Sequence, residues 1–278
     1  MRKISLLAVI ASVLFICGCS KDIKDNENNS INIVTSILSE NMAKSPDLDE
    51  DGKGYFVKGD IFSLMVSNSE KKYVVKDFNV GNSDLKWKDV DLTSNAGKVN
   101  FSACYPKQNI ENGKFIFDIE SSSYKDLLLS QVKDIDAYSI NPVHLQFKHA
   151  MHKLVINYTL EEEMDITTQC EALSTCQVDM FDNTVTVNED KKTVTAQSGK
   201  NIFFLIVPQK TVDVTLNITY GDRAKSYSLN ELIKDYEQLE GGKKIELTLN
   251  VKNGDIQIEN PTISDWGDQG SVDGSIIM

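Results

Sequence analysis

Asp47, Asp49 and Asp51 alternate along the chain just ahead of Gly52. Carboxylates spaced by single residues, with a glycine to turn the backbone, present oxygens to a hard cation such as Ca²⁺. An EF-hand would carry a bidentate Glu at its twelfth position, where Lys58 stands, and would be flanked by helices that this stretch does not offer. The cluster reads either as a Ca²⁺ loop or as an exposed acidic loop. All three histidines, His144, His149 and His152, fall in one short stretch. On extended chain His144 and His149 point to opposite faces, whereas a helical turn would bring His149 and His152 together. No nucleophile or carboxylate is placed beside them, so His149 reads as a polar residue fixing a kink rather than as a metal ligand or base. No Ser-His-Asp spacing, phosphate-cradling glycine motif or paired-carboxylate cleft is present in the pattern. The expectation is a protein without catalytic residues and without a cofactor, Ca²⁺ being the one cation it has a place for. Trp87 and Trp266 offer surfaces for stacking on sugars, although isolated tryptophans more often anchor a core.

The cysteines and the N-terminus set the compartment. Arg2 and Lys3 precede an apolar run over residues 4–16 that is short for a spanning helix. Gly18-Cys19 after such a run resembles the bacterial lipoprotein processing box. That resemblance implies removal of residues 1–18 as a signal peptide, and lipid on the Cys19 sulfur and its new amino group; several acyl chains give durable anchoring. Residues 19–30 are polar and rich in Asn and acids, as in a disordered tether. An acidic run after the lipidated cysteine also resembles a signal for export to the outer cell surface. Cleavage leaves 260 residues and moves the formal charge from −12 to −14, since only Arg2 and Lys3 are lost. An acidic exterior argues against nucleic acid as a partner. Cys170 and Cys176 are spaced to close a small loop through a disulfide in an oxidising compartment, while Cys104 lies on an apolar strand as a small buried side chain.

The elements that would hold these residues are mostly strands. Val143, Leu145 and Phe147 share one parity, and Leu154, Ile156, Tyr158 and Leu160 share the other. A strand cannot change its buried face without an extra residue, so residues 143–160 predict two strands joined by a kink over residues 149–152. Before it, residues 31–38, 55–67, 71–80, 87–92, 98–105 and 115–119 read as strands, with an acidic loop over 39–54. After it, short strands are predicted within 178–196, a buried central strand or a short core segment over 202–207, and alternating strands over 212–220 and 243–251. Two segments read as helical, 124–132 and 229–239. Many short strands without crossover helices predict an all-β chain of antiparallel sandwiches. Length and the mid-chain kink suggest two in tandem, over 31–141 and 142–278.

Several short motifs then occur in a telling order: Phe56-Val57-Lys58-Gly59-Asp60-Ile61, Ala103-Cys104-Tyr105-Pro106, Phe147-Lys148-His149-Ala150 with Lys153-Leu154, Val207-Pro208-Gln209, Gly241-Gly242-Lys243 and Ile263-Ser264-Asp265-Trp266. Together they resemble the fimbrillin family, the lipoprotein subunits of type V pili. The resemblance implies two transthyretin-like antiparallel β-sandwich domains, a place in the outer membrane or in a surface fimbrium, and adhesion. It also implies partners among other pilus subunits or further copies of the chain, with a surface receptor left unnamed. In that family an Arg-directed protease removes an N-terminal strand, and a strand of the next subunit fills the apolar groove. An unpaired sheet edge over an exposed core accepts a strand readily. Here residues 31–38 would be the displaced strand, 39–54 the loop to be cut, and the Gly- and Asp-rich tail through Met278 a candidate donor. The chain departs from the pattern in one respect. Its only arginines are Arg2 and Arg223, and Lys44 is the one basic residue between Ile31 and the aspartate cluster. Either another protease acts there, which makes Lys44 the candidate processing site, or the chain is not processed, as would suit a basal anchor or a cap. The other reading is a lipid-anchored surface protein that binds glycans, for which exposed Trp87 and Trp266 would speak.

Overall fold

The computed structural model describes residues 30–37, 55–90, 92, 97–122, 126–252, 255–258 and 262–265. Cys19, Lys44, the cluster Asp47, Asp49 and Asp51, Trp266 and the tail lie outside the described residues.

The fold is nearly all β, in three sheets. The first has six strands in the order β1 (Ile33–Ile37), β7 (Val143–His149), β6 (Leu128–Asp136), β4 (Lys98–Tyr105), β2 (Ile61–Asn68) and β3 (Tyr73–Asn79). The second is built on the long strand β9 (Ile166–Asp179). β10 (Thr184–Ser198) pairs along almost its whole length. On its other edge β5 (Lys114–Asp118) pairs with residues 175–179 and β12 (Thr215–Tyr220) with residues 166–171, followed by β13 (Arg223–Ser228). The third sheet runs β11 (Asn201–Ile206), β8 (His152–Leu160), β14 (Lys243–Lys252), with β15 (Asp255–Ile258) and β16 (Thr262–Asp265) both against β14. Most pairings are antiparallel, but β1 with β7 and β8 with β14 are parallel. Both parallel pairs join strands far apart in sequence, as parallel pairing requires.

Three apolar clusters fill the layers. One lies on a face of the first sheet and includes Phe62, Leu64, Phe101, Leu145 and Phe147. A second joins the other face of that sheet, through Met65, Cys104 and Leu129, to Phe117, Cys176 and Val178 of β5 and β9. The third lies between β9 and β12 on one side and β8, β11 and β14 on the other, with Leu154, Ile156, Phe204, Leu216 and Leu247.

Several sequence expectations change here. The 124–132 segment carries no helix in its described part; β6 begins at Leu128. The first sheet is covered on both faces, so Leu128 enters one cluster while Leu127 and Leu129 enter another. A strand buried on both sides reads as a continuous apolar run, which mimics a helical face. The 229–239 helix shrinks to one turn, α1 (Leu229–Leu232). Residues 87–90 form a 3₁₀ turn rather than a strand. β11 is an edge strand, not a central one. The expected bridge between Cys170 and Cys176 is absent: both are free and buried on one strand. Six steps along the strand separate them by about 20 Å, far beyond disulfide reach.

Candidate functional site

The strand β1 has the properties of a detachable element. It forms one edge of the first sheet, and its register sets Ile33 beside Val143, Thr35 beside Leu145 and Ile37 beside Phe147. Alternation puts Ile31, Ile33, Thr35 and Ile37 inward, with Ile31 and Ile37 only 6% and 7% exposed, while Asn32, Val34 and Ser36 face outward. Their neighbours on β7, Val143, Leu145 and Phe147, are all fully buried. Upstream, Ile31 donates its N–H to the Leu85 carbonyl at 2.7 Å, and the Ser30 hydroxyl donates to the Asp84 carboxylate at 3.1 Å. Asp84 is held below the usual carboxylate range by hydrogen bonds from Lys86 and Ser30. The chain returns at Tyr55, and Phe56 lays its ring 4.7 Å from that of Phe147 and 5.6 Å from Phe62. Phe147 therefore meets both β1 and the returning chain. The two ends of the 38–54 connection are fixed on the same aromatic residue.

A second constellation sits where the chain leaves the first sheet. β7 ends at His149 and β8 begins at His152, so the expected kink is a crossover between two sheets. Pairing of β7 with β6 places that strand, on the C-terminal side of residue 142, in the first sheet. His149 Nδ1 lies 2.6 Å from Asp126 Oδ2, both side chains buried. Burial pushes the Asp126 carboxyl above its ordinary range, while His149 acts in the opposite direction. The sequence set no carboxylate beside the histidines; Asp126 arrives from 23 residues upstream, and nothing around it in the chain marks it as a partner. His144 is exposed on β7, away from both.

The motifs Phe147-Lys148-His149-Ala150, Val207-Pro208-Gln209 and Gly241-Gly242-Lys243 converge on this crossover. Gly242 donates its N–H to the Met151 carbonyl at 2.9 Å. A Cβ on Gly241 would come within 2.5 Å of the Ala150 carbonyl oxygen, so only glycine fits the close approach. Gln209 is buried; its side-chain amide accepts from Leu173 N–H at 3.0 Å and donates to the Leu173 and Val207 carbonyls at 3.2 and 3.0 Å. Leu173 lies on β9 in the gap between its β12 and β5 partners. The sequence gives no sign of this bridge, because Gln209 follows Pro208 as any loop residue could.

Trp87 is 3% exposed. Its Nε1–H donates to the Ser139 carbonyl at 3.2 Å, and its ring packs edge-on against Phe101. It is a core residue with no face for a sugar. Among the described residues no group of three or more His, Cys, Asp or Glu is arranged to hold a metal ion. Among those residues, too, no helix is long and apolar enough to cross a membrane.

The fold has solved counterparts. A protein from Bacteroides ovatus provisionally assigned to cell adhesion is similar with a TM-score of 0.58 at 14% identity, over 86% of this chain and 98% of its own. A counterpart from Bacteroides uniformis, with the same provisional assignment, gives 0.56 at 16% identity over 75% and 92%. The tip fimbrial protein Mfa3 of Porphyromonas gingivalis, with a C-terminal truncation, gives 0.50 at 10% identity over 75% and 95%. No curated protein sequence matches. At these identities the likeness speaks for the fold alone. A sequence profile described as fimbrillin-like matches residues 53–266, well over half of the chain. By that match, the chain belongs to the fimbrillin-like family.

Proposed function

We propose that this chain is a lipid-anchored surface subunit of a fimbrium, tethered in the outer membrane through Cys19 and joined to its neighbours by strand exchange at β1. Its role is structural or adhesive, without catalysis, and its partners are other pilus subunits or further copies of itself. The observation that carries the reading is the edge strand itself. β1 is short, lies in parallel against a single neighbour, and sets Ile33, Thr35 and Ile37 beside Val143, Leu145 and Phe147, with Ile31 buried just upstream. Its departure would leave an apolar groove beside an unpaired strand edge, which an incoming strand of the same alternation would fill. If the connection is cut, Phe56 keeps the returning chain seated against Phe147 while β1 leaves, so the body of the sheet survives the release.

A Lys-specific protease acting at Lys44 provides the test. Limited digestion of the purified protein should yield ladders of multimers that persist in cold detergent and fall to monomer on heating. Cut protein that remains monomeric would refute the strand route. So would mass spectrometry showing that protein within surface fibres keeps a lipidated N-terminus continuous with residue 55.

A further inference from the structure

The crossover between β7 and β8 contains a histidine with one place for its proton. His152 Nδ1 lies 2.9 Å from the Glu240 carbonyl oxygen. A carbonyl only accepts, so Nδ1 carries the hydrogen and donates it. Nε2 is then a bare lone pair, buried without a hydrogen-bond partner. The neutral ring fits this arrangement. The protonated ring would place a charged N–H donor where no acceptor stands among the described residues.

The surrounding elements offer no relief. At the end of β7, the exposed Lys148 adds positive charge, and His149 is engaged with Asp126, the only buried carboxylate among the described residues. On β8, Lys153 holds its ammonium 4.8 Å from the centre of the Phe203 ring. On the approach to β14, Glu240 gives its backbone while its side chain is exposed, and Lys243 and Lys244 add positive charge. On β11 the residue opposite is Ile206.

The same ring supports a close backbone contact. Residues 240–242 lie flat on residues 149–152: Gly241 faces the Ala150 carbonyl, a Cβ on Gly242 would sit 3.0 Å from the His149 carbonyl, and Gly242 N–H bonds to Met151. We propose that His152 makes this contact an acid-released clamp, in which protonation drives the ring out from beneath residues 240–242 and frees the crossover while the three sheets stay folded. The clamp links the sheet that holds β1 to the sheet that holds β14. Its release therefore loosens the joint between them.

The direction with pH follows from burial. Burial lowers the ring's pKa from 6.5 to about 4, against a smaller opposing effect of the Glu240 hydrogen bond. A released ring takes up its proton at the higher value. Between the two values the released form binds more protons than the docked form, so falling pH shifts the population towards release. Above the higher value the clamp is fully docked.

Nitrogen-15 spectra of the full chain between pH 7.5 and 3.5 test this. The His152 ring should show the Nδ1–H tautomer at neutral pH and titrate well below 6.5. The amides of Met151, Gly241 and Gly242 should shift with it, while those of Phe62 and Phe101 stay in place. His152→Asn keeps an amide donor for the Glu240 carbonyl but cannot titrate, and should abolish the shift. A ring that titrates near 6.5 would overturn the proposal. So would glycine amides that ignore the ring's titration, an unchanged response in His152→Asn, or simultaneous loss of all amides. Should that variant fail to fold, the wild-type ring and amide titrations decide by themselves.

Discussion

Asp126 and His149 show how a buried pair can be both a burden and a necessity. Removing a carboxylate's charge from water costs several kcal/mol, which is why burial raises the Asp126 pKa. His149 offsets this with a 2.6 Å hydrogen bond. His149→Ala would leave the carboxyl buried beside an empty space, and should destabilise the protein by about 3–5 kcal/mol at neutral pH. The pH dependence has a definite sign. Losing His149 raises the folded-state pKa of Asp126 further, so the folded variant holds this proton more tightly than the unfolded chain does. Stability then improves as pH falls through the folded value, and the deficit against wild type is largest above it. Urea denaturation of both proteins at pH 7 and pH 5 checks this: a deficit that stays constant or grows on acidification contradicts the assignment.

At the scale of one strand, β1 combines alternation with an edge position. Its two faces make the critical comparison. Ile37 is buried against Phe147, whereas Val34 is 41% exposed. Ile37→Asp should cost about 3–5 kcal/mol, since it removes apolar burial and inserts an unpaired charge. Val34→Asp should stay within about 0.5 kcal/mol of wild type. Equal shifts in urea midpoint would mean that β1 is not seated as described. β1 was legible in the sequence because its two faces alternate between buried and wetter positions, as do those of β12 and β14. The failures share a cause. Leu127-Leu128-Leu129 feeds two cores at once and so hides its period of two, which is why β6 read as a helix. β9 and β10 read as fragments because β10 is largely exposed on both faces and has an irregularity between Asn188 and Lys192. The parity switch across residues 147–154 was visible, but its meaning was a change of sheet rather than a bulge in one.

Across the whole molecule, cohesion depends on a strand that serves two cores. The C-terminal half of β9 carries Cys176 and Val178 into the cluster shared with the first sheet, and its N-terminal half carries Ile166 and Cys170 into the cluster shared with the third. The strands on its other edge change from β12 to β5 across residues 172–174. There the ladder is interrupted, and Gln209 takes over by bonding both the N–H and the carbonyl of Leu173. This one amide thus ties the chain between β11 and β12 to the middle of β9. Gln209→Met preserves volume but leaves the Leu173 N–H buried without its acceptor, at a cost of about 1–3 kcal/mol. The stability lost is less telling than where it is lost, because the substitution weakens the joint rather than either core. Wild-type protein should unfold in one step by both far-ultraviolet circular dichroism and Trp87 fluorescence, measured in a Trp266→Phe background. In Gln209→Met the two probes should separate, since Trp87 reports the first sheet alone. Transitions that remain coincident while shifting to lower urea would show that the two cores are coupled through the β9–β10 hairpin itself, with Gln209 contributing only its own hydrogen bonds.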